Sequence, residues 1–324
     1  MKRFFVTGAN GFLGTNLCHD LLDKGYHVTG LVRDKNSFKG NLHKNLSLIE
    51  GQLFDDFAML FKRMDVVIHV AATTDQSLLD YVTYWKINCN ATKQIFNTAI
   101  LSNVKRFIFV STANTMGYGT LQELGTEQNN VNTLFKQSYY ARSKLEAENY
   151  LLTKKHKIDT IIVNPTFMLG AFDSKPSSGR IILMGWKKHL VFYPPGGKNF
   201  VHVKDVTSGI INAIDKGISG EKYLLANKNM SYREFFKLLN TITNQNPIMI
   251  QIPKQLLLSL GYLGDLLRTL QLKSNLSLIN TKILCIENYF SNNKSIEHLN
   301  MTYQPIEKAI SDAIDYFSNS KKQL

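Results

Sequence analysis

Tyr140-Ala141-Arg142-Ser143-Lys144 sets a phenol and an ammonium four residues apart. On a helix that spacing puts both side chains on one face, aimed at one place. A free phenol ionises near pH ~10. A neighbouring positive charge favours the phenolate, moves that value toward neutrality and makes Tyr140 a usable general acid or base. Thr112, at the end of the apolar run Arg106-Phe107-Ile108-Phe109-Val110-Ser111, can donate to a substrate oxygen and orient it. A Tyr-x-x-x-Lys pair on an arbitrary helix is usually plain surface, so this one draws its weight from what precedes it.

What precedes it is Thr7-Gly8-Ala9-Asn10-Gly11-Phe12-Leu13-Gly14, between the apolar run Phe4-Phe5-Val6 and an apolar-periodic segment. A strand that passes through a glycine turn straight into a helix leaves unpaired N–H groups at the positive end of the helix dipole, a place that suits a phosphate. Gly8 allows the tight turn, Gly11 lets backbone approach a pyrophosphate, and Gly14 lets the helix pack closely on the strand. The spacing is Gly-x-x-Gly-x-x-Gly, a dinucleotide signature only in its strand-and-helix context. With such a dinucleotide bound, nicotinamide charge joins Lys144 beside the Tyr140 phenol, and Lys144 gains ribose hydroxyls to hold.

The elements that must position these groups alternate. Leu13, Leu17, Leu21 and Leu22 have helical spacing and Gly25 closes the run. His27 to Val32 reads as a second strand, after which Arg33 and Asp34 face the adenosine ribose; an arginine there accepts a 2′-phosphate, which favours NADP over NAD, whereas Asp34 on the ribose would reverse that. Leu46 to Glu50 is a third strand, with Gln52 and Leu53 beside the adenine. Asp65 to Val70 is a buried fourth strand, with His69 a buried, hydrogen-bonded histidine and small Ala71 and Ala72 at its carboxyl end, where a cofactor backbone comes close. A helix over 81 to 102, the strand 106 to 110, a helix over 137 to 155 and the strand 160 to 163 follow. This alternation predicts an α/β fold, a Rossmann-type doubly wound parallel sheet with a smaller, mainly helical C-terminal substrate lobe. We expect residues 1–166 to form the dinucleotide-binding domain, 200–226 to return to it, and 167–199 with 227–324 to form the substrate lobe. Gln255 to Leu272, unusually rich in leucine, reads first as a packed helix of that lobe, next as a homodimer or substrate-lid surface, and last as a membrane contact.

The 324 residues are 44% hydrophobic and 19% charged, a globular composition. No run of about 18 apolar residues appears, so no membrane span is expected; the chain enters its first strand at once, which suggests a cytoplasmic protein. Cys18, Cys89 and Cys285 lack metal-like spacing and read as reduced thiols, and no metal site is expected. The net charge of +13 comes from scattered lysines with no basic block interleaved with aromatics, which speaks against nucleic acid. The densest basic cluster is Lys321-Lys322 at the chain's end.

These motifs together resemble the extended short-chain dehydrogenase/reductase family of the NAD-dependent epimerase/dehydratase type, over nearly the whole chain. They are Thr7 to Gly14, His69-Val70-Ala71-Ala72, Asn88-Cys89-Asn90-Ala91-Thr92, Ser111-Thr112-Ala113, Tyr140 with Lys144, and Asn164-Pro165-Thr166. Within the family, Arg33, Pro195 to Val206 and Gly220 to Leu225 are similar to the dihydroflavonol-4-reductase-like branch, which implies reduction of a carbonyl with NADPH. The resemblance implies that Thr112, Tyr140 and Lys144 are catalytic. Gly8, Asn10, Gly11, Phe12, Leu13 and Gly14 would hold pyrophosphate, and Arg33 the 2′-phosphate. Gln52, Leu53, Val70, Ala71 and Ala72 would line adenosine and the cofactor backbone, and Asn164, Pro165 and Thr166 would shape the nicotinamide site. Gln52 stands where relatives usually carry a carboxylate, and Thr112 where serine is commoner; both keep a hydrogen-bonding group. The family also contains nucleotide-sugar epimerases and dehydratases with tightly held NAD, for whose diphosphate substrates Arg180, Lys187, Lys188 and Lys198 are candidate partners, and an inactive nucleotide-sensing regulator is a third class. Substrate selection is expected around Thr73, Met116, Tyr118, Phe167 and residues 171 to 200.

Overall fold

The structure, a computed structural model, describes residues 1–75, 78–272, 274 and 276–320; Lys321-Lys322 lie outside them. Its first half runs β1 (Arg3–Thr7), α1 (Phe12–Asp23), β2 (His27–Val32), β3 (Leu46–Glu50), α2 (Ala58–Phe61), β4 (Val66–His69), α3 (Tyr81–Trp85), α4 (Ala91–Leu101), β5 (Arg106–Val110), α5 (Thr133–Lys136), α6 (Tyr139–Thr153) and β6 (Asp159–Pro165). The second half runs β7 (Phe167–Leu169), α7 (Arg180–Gly185), β8 (Leu190–Tyr193), β9 (Gly197–His202), α8 (Val203–Lys216), β10 (Lys222–Leu225), β11 (Lys228–Ser231), α9 (Tyr232–Ile242), β12 (Ile248–Gln251), α10 (Lys254–Thr269), α11 (Leu278–Leu284), β13 (Glu287–Asn288), α12 (Asn293–Leu299) and α13 (Ile306–Ser320).

Seven strands form one parallel sheet in the order β10-β6-β5-β4-β1-β2-β3. Successive side chains of a strand point to opposite faces, and here both faces are covered. Phe4, Val6, Val66, Ile68 and Ile108 pack toward α1 and α8, whereas Phe5, Val67, Phe107 and Phe109 pack toward α2, α4 and α6. That double burial explains why these strands read as continuous apolar runs. The order reverses between β1 and β4, and at such a switch point the carboxyl ends of the strands leave a crevice.

The segment 81–102 is not one helix. A π-helical turn, Lys86–Asn90, separates α3 from α4, and it brings Asn88 inward. The Asn88 amide donates to Thr73 O at 3.0 Å and to Ser143 Oγ at 3.0 Å, and its oxygen accepts from Thr73 N at 2.8 Å. The irregular turn thereby ties the loop after β4 to α6, an exchange of helix regularity for a buried polar contact.

The remaining elements include a second, four-stranded sheet with β9 bonded to β7, β11 and β13, and a two-stranded parallel ribbon of β8 and β12. A separate core that includes Phe200, Phe235, Phe236, Leu239, Ile310 and Phe317 holds them together. Ser231 caps α9 in a reciprocal capping box with Glu234. Among the described residues no helix is long and apolar enough to cross a membrane.

Candidate active site

The glycine turn sits at the switch point. Gly8 has φ +67°, and a Cβ on it would stand 3.0 Å from Ala71 Cα, so the ends of β1 and β4 touch through backbone. A Cβ on Gly14 would fall 2.0 Å from Gly8 O, so no larger residue lets α1 begin this close to β1. Gly11 is the N-cap of α1, no side chain caps it, and the first turn holds no acidic residue. The free N–H groups of that turn therefore meet no competing carboxylate, which fits a pyrophosphate. Asn10 donates through its amide to Ser37 Oγ, which joins the turn to the loop after β2.

Beneath the turn, Thr7, His69 and Thr92 form a buried relay. Thr92 Oγ1 donates to Asn88 O, so it accepts from His69 Nε2 at 3.0 Å; His69 Nδ1 in turn accepts from Thr7 Oγ1 at 2.8 Å. Thr7 Oγ1 also accepts from Val70 N and Ala71 N, each at 3.1 Å. The neutral histidine fixes the path of Val70 and Ala71, and burial pushes its pKa down to about 3, helped by the charge of Lys144.

Arg33 is exposed just past β2, and it joins none of the ion pairs among the described residues. Asp34 is engaged locally: its Oδ1 accepts from Asn36 N at 2.9 Å. Gln52 is exposed with its N–H on Asp55 Oδ2 at 2.7 Å, and Leu53 packs half-buried against the α2 side of the sheet.

Tyr140 and Lys144 start from adjacent turns of α6, whose N-terminus Ser138 caps. The Tyr140 phenol lies against the Thr112 hydroxyl, and burial pushes it up to about 12 although the Thr112 hydrogen bond acts the other way. The expected drift toward neutrality counts on the charge of a bound nicotinamide beside the phenol. Lys144 Nζ donates to Val110 O at 2.7 Å and stands 3.9 Å from the centre of the Phe109 ring. Burial of that ammonium pulls its pKa down to about 7, and Glu148 opposes the fall.

Asn164 draws the strand ends together, its amide donating to Thr112 O at 3.0 Å, Thr115 Oγ1 at 3.1 Å and Glu148 Oε1 at 2.8 Å. Thr166 donates to Asn199 Oδ1 at 2.7 Å. A cleft of about 780 Å³ opens beside them, lined by Thr112, Tyr140, Pro165 and Thr166 on one side. Phe167, Met168, Ser177, Arg180, Lys198, Asn199, Asn288 and Phe290 are among its other lining residues, as are Thr74 and Asp75. Lys198 is half-buried there, 5.1 Å over the Phe167 ring, and burial pushes its pKa down to about 8.

Several expected lining residues lie elsewhere. Met116 and Tyr118 pack on Ala113, Leu224 and Phe290 below the cleft, with Gly119 bridged to Tyr289. Lys187 and Lys188 are exposed at the turn before β8, and Thr73 is spent on Asn88. Glu148 was missed in the sequence although it stands four residues after Lys144 on the same face. Asn288 and Phe290 come from a distant segment with no local signal.

With that geometry in view, residues 4–226 match the family model described as "NAD dependent epimerase/dehydratase family". The chain is 28% identical over 326 residues to "Putative dihydroflavonol 4-reductase" of Synechocystis sp., covering 98% of this chain and 94% of the relative. It is 33% identical over 178 residues to UDP-glucose 4-epimerase of Vibrio cholerae, covering 52% of each. The crystal structure of gox2253 superposes with a TM-score of 0.84 at 26% identity, covering 99% of both chains.

Proposed function

The chain belongs to the NAD dependent epimerase/dehydratase family, an NAD(P)-dependent enzyme of the extended short-chain dehydrogenase/reductase type, and from that premise we propose that it reduces a ketone or aldehyde of a small molecule with NADPH. The observation that carries this reading is the Tyr140 phenol set against the Thr112 hydroxyl in the wall of the cleft. A protonated phenol placed there can give its proton to a developing alkoxide. When bound, the cofactor supplies the hydride. Thr112 Oγ1 orients the carbonyl oxygen, Tyr140 protonates it, and the Lys144 ammonium makes loss of that proton cheaper by stabilising the phenolate left behind. NADP rather than NAD is supported by Arg33, exposed just past β2, the position that faces the adenosine ribose in folds of this kind, with Asp34 bonded to Asn36 N.

A second reading, a nucleotide-sugar epimerase or dehydratase, is favoured by Lys198 and Arg180 in the cleft, neither of them in an ion pair among the described residues. The cofactor that accompanies the purified protein separates the two. The reductase should come away largely empty, bind NADPH at least about tenfold more tightly than NADH, and lose most of that preference in Arg33→Ala, a change of about 1.4 kcal/mol. Tightly retained NAD, with no NADPH oxidation across a panel of ketones and aldehydes, would overturn the reductase and support the epimerase.

A further inference from the structure

The helix α10 is packed by its glycines and leaves its leucines outside. Gly261 and Gly264 face the segment around α11, where a Cβ would meet Thr281 Oγ1 at 2.2 Å and Leu276 O at 2.4 Å. Leu256, Leu260, Leu263, Leu267 and Leu270 recur at steps of four and three, so they form one stripe. Leu256, Leu260, Leu263 and Leu270 are exposed, Leu263 by 53%, and so are the flanking Leu266 and Tyr262. The stripe carries no charge, because Asp265 accepts from Leu278 N at 3.0 Å and Arg268 donates to Ser274 O at 2.9 Å, both turned into the lobe. Just ahead of α10 the β8–β12 ribbon does the same. Leu190 pairs with Ile248 and Phe192 with Ile250, and all four are exposed.

Charge goes with this surface. No acidic residue lies between Asp173 and Asp205, and Asp265 is the single one between Glu234 and Glu287. Lys187 and Lys188 enter the ribbon and Lys254 opens the helix, all exposed. Two copies joined through this face would bring cations against cations, which disfavours a dimer. An apolar stripe framed by lysines matches a surface with acyl chains beneath anionic headgroups.

We infer that α10 and the β8–β12 ribbon dock this protein on an anionic lipid surface, with the leucine stripe and Tyr262 in the headgroup–acyl boundary and Lys187, Lys188 and Lys254 on the lipid charges. The net charge of +13, which the cofactor alone does not explain, then has a second use. Docking of this kind is peripheral and reversible, and it holds whichever reaction the cleft performs.

The test is flotation of the full chain with vesicles of phosphatidylcholine alone and of phosphatidylcholine with phosphatidylglycerol in equal parts. Binding should favour the anionic vesicles by about tenfold or more and weaken with salt. Leu263→Gln with Leu266→Gln should lower binding about tenfold while leaving the melting temperature unchanged, since both side chains are exposed. Lys187→Gln with Lys188→Gln should lower it on anionic vesicles only, which keeps the test decisive if the leucine variant misfolds. Absence of binding to anionic vesicles overturns the inference. So does light scattering that finds a dimer converted to monomer by the leucine pair, which would assign the face to a second copy.

Discussion

Lys144 and Glu148 lie one turn apart on α6, both fully buried, yet their side chains leave the helix toward different partners. Lys144 reaches Val110 O under the sheet's carboxyl edge. Glu148 accepts from Thr115 and Asn164 through Oε1 and pairs with Lys222 at 2.5 Å through Oε2. The carboxylate ties α6, β6 and β10 together and is the charge that holds the lysine's pKa from falling further. Glu148→Gln should therefore act twice. Leaving Lys222 without its partner should lower stability by about 2–4 kcal/mol, read by denaturant unfolding. The limb of kcat/KM for NADPH that tracks the Lys144 ammonium should also move below about 7. Activity falls as pH rises through that limb, because the neutral amine no longer supports the phenolate. A limb that stays in place in the variant would remove Glu148 from the tuning of Lys144.

Thr112 and Tyr140 give a sharper contrast. Tyr140→Phe keeps the ring but loses the proton that the carbonyl oxygen receives, and kcat should fall by about a hundredfold or more. NADPH binding, followed by fluorescence, should change little. Thr112→Ser keeps a hydroxyl and should retain most of the activity, whereas Thr112→Val should lose about tenfold or more in kcat/KM. Loss of activity in the serine variant with retention in the valine variant would mean that the methyl group's packing matters and the hydroxyl does not.

Much of this was legible because it is local. The glycine turn, the apolar strands buried on both faces and the Tyr140–Lys144 spacing are each set by neighbours in sequence, and strands β2, β3 and β5 have the bounds their residue patterns imply. What was hidden depends on distant segments. The π turn at Lys86–Asn90 exists because Asn88 finds Ser143 fifty-five residues on, and no periodicity announces that. Four-residue spacing sets a shared face for Tyr140 and Lys144, but it does not set where a long, flexible side chain ends. The carbonyl of Val110 and the ring of Phe109 decide that.

The glycines of the chain are not equivalent, and stability measurements should separate them. Gly25 has φ +79° but open space around it, so Gly25→Ala should cost only the left-handed penalty of about 1 kcal/mol. Gly14 meets Gly8 O at 2.0 Å from its hypothetical Cβ, an atom of backbone that cannot swing aside. Gly14→Ala must push α1 away from β1 and should abolish dinucleotide binding in calorimetry while Gly25→Ala leaves it intact. Normal NADPH affinity in Gly14→Ala would show that the turn tolerates a wider approach than this packing allows.

The Thr7–His69–Thr92 relay predicts an acid-sensitive fold. His69 is neutral in the folded chain, with a pKa pushed down to about 3 by burial, while in the unfolded chain it takes up a proton below about 6.5. Between those values the unfolded state binds more protons, so stability must fall as pH falls through the window. For this one group the loss between pH 6.5 and pH 4.5 is about 2–3 kcal/mol. His69→Gln cannot titrate and should be less stable at neutral pH, since Thr7 or Thr92 loses a partner, but its melting temperature should decline less steeply on acidification than that of the native chain. Parallel declines in the two proteins would assign the acid sensitivity to surface carboxylates and leave the histidine with a packing role alone.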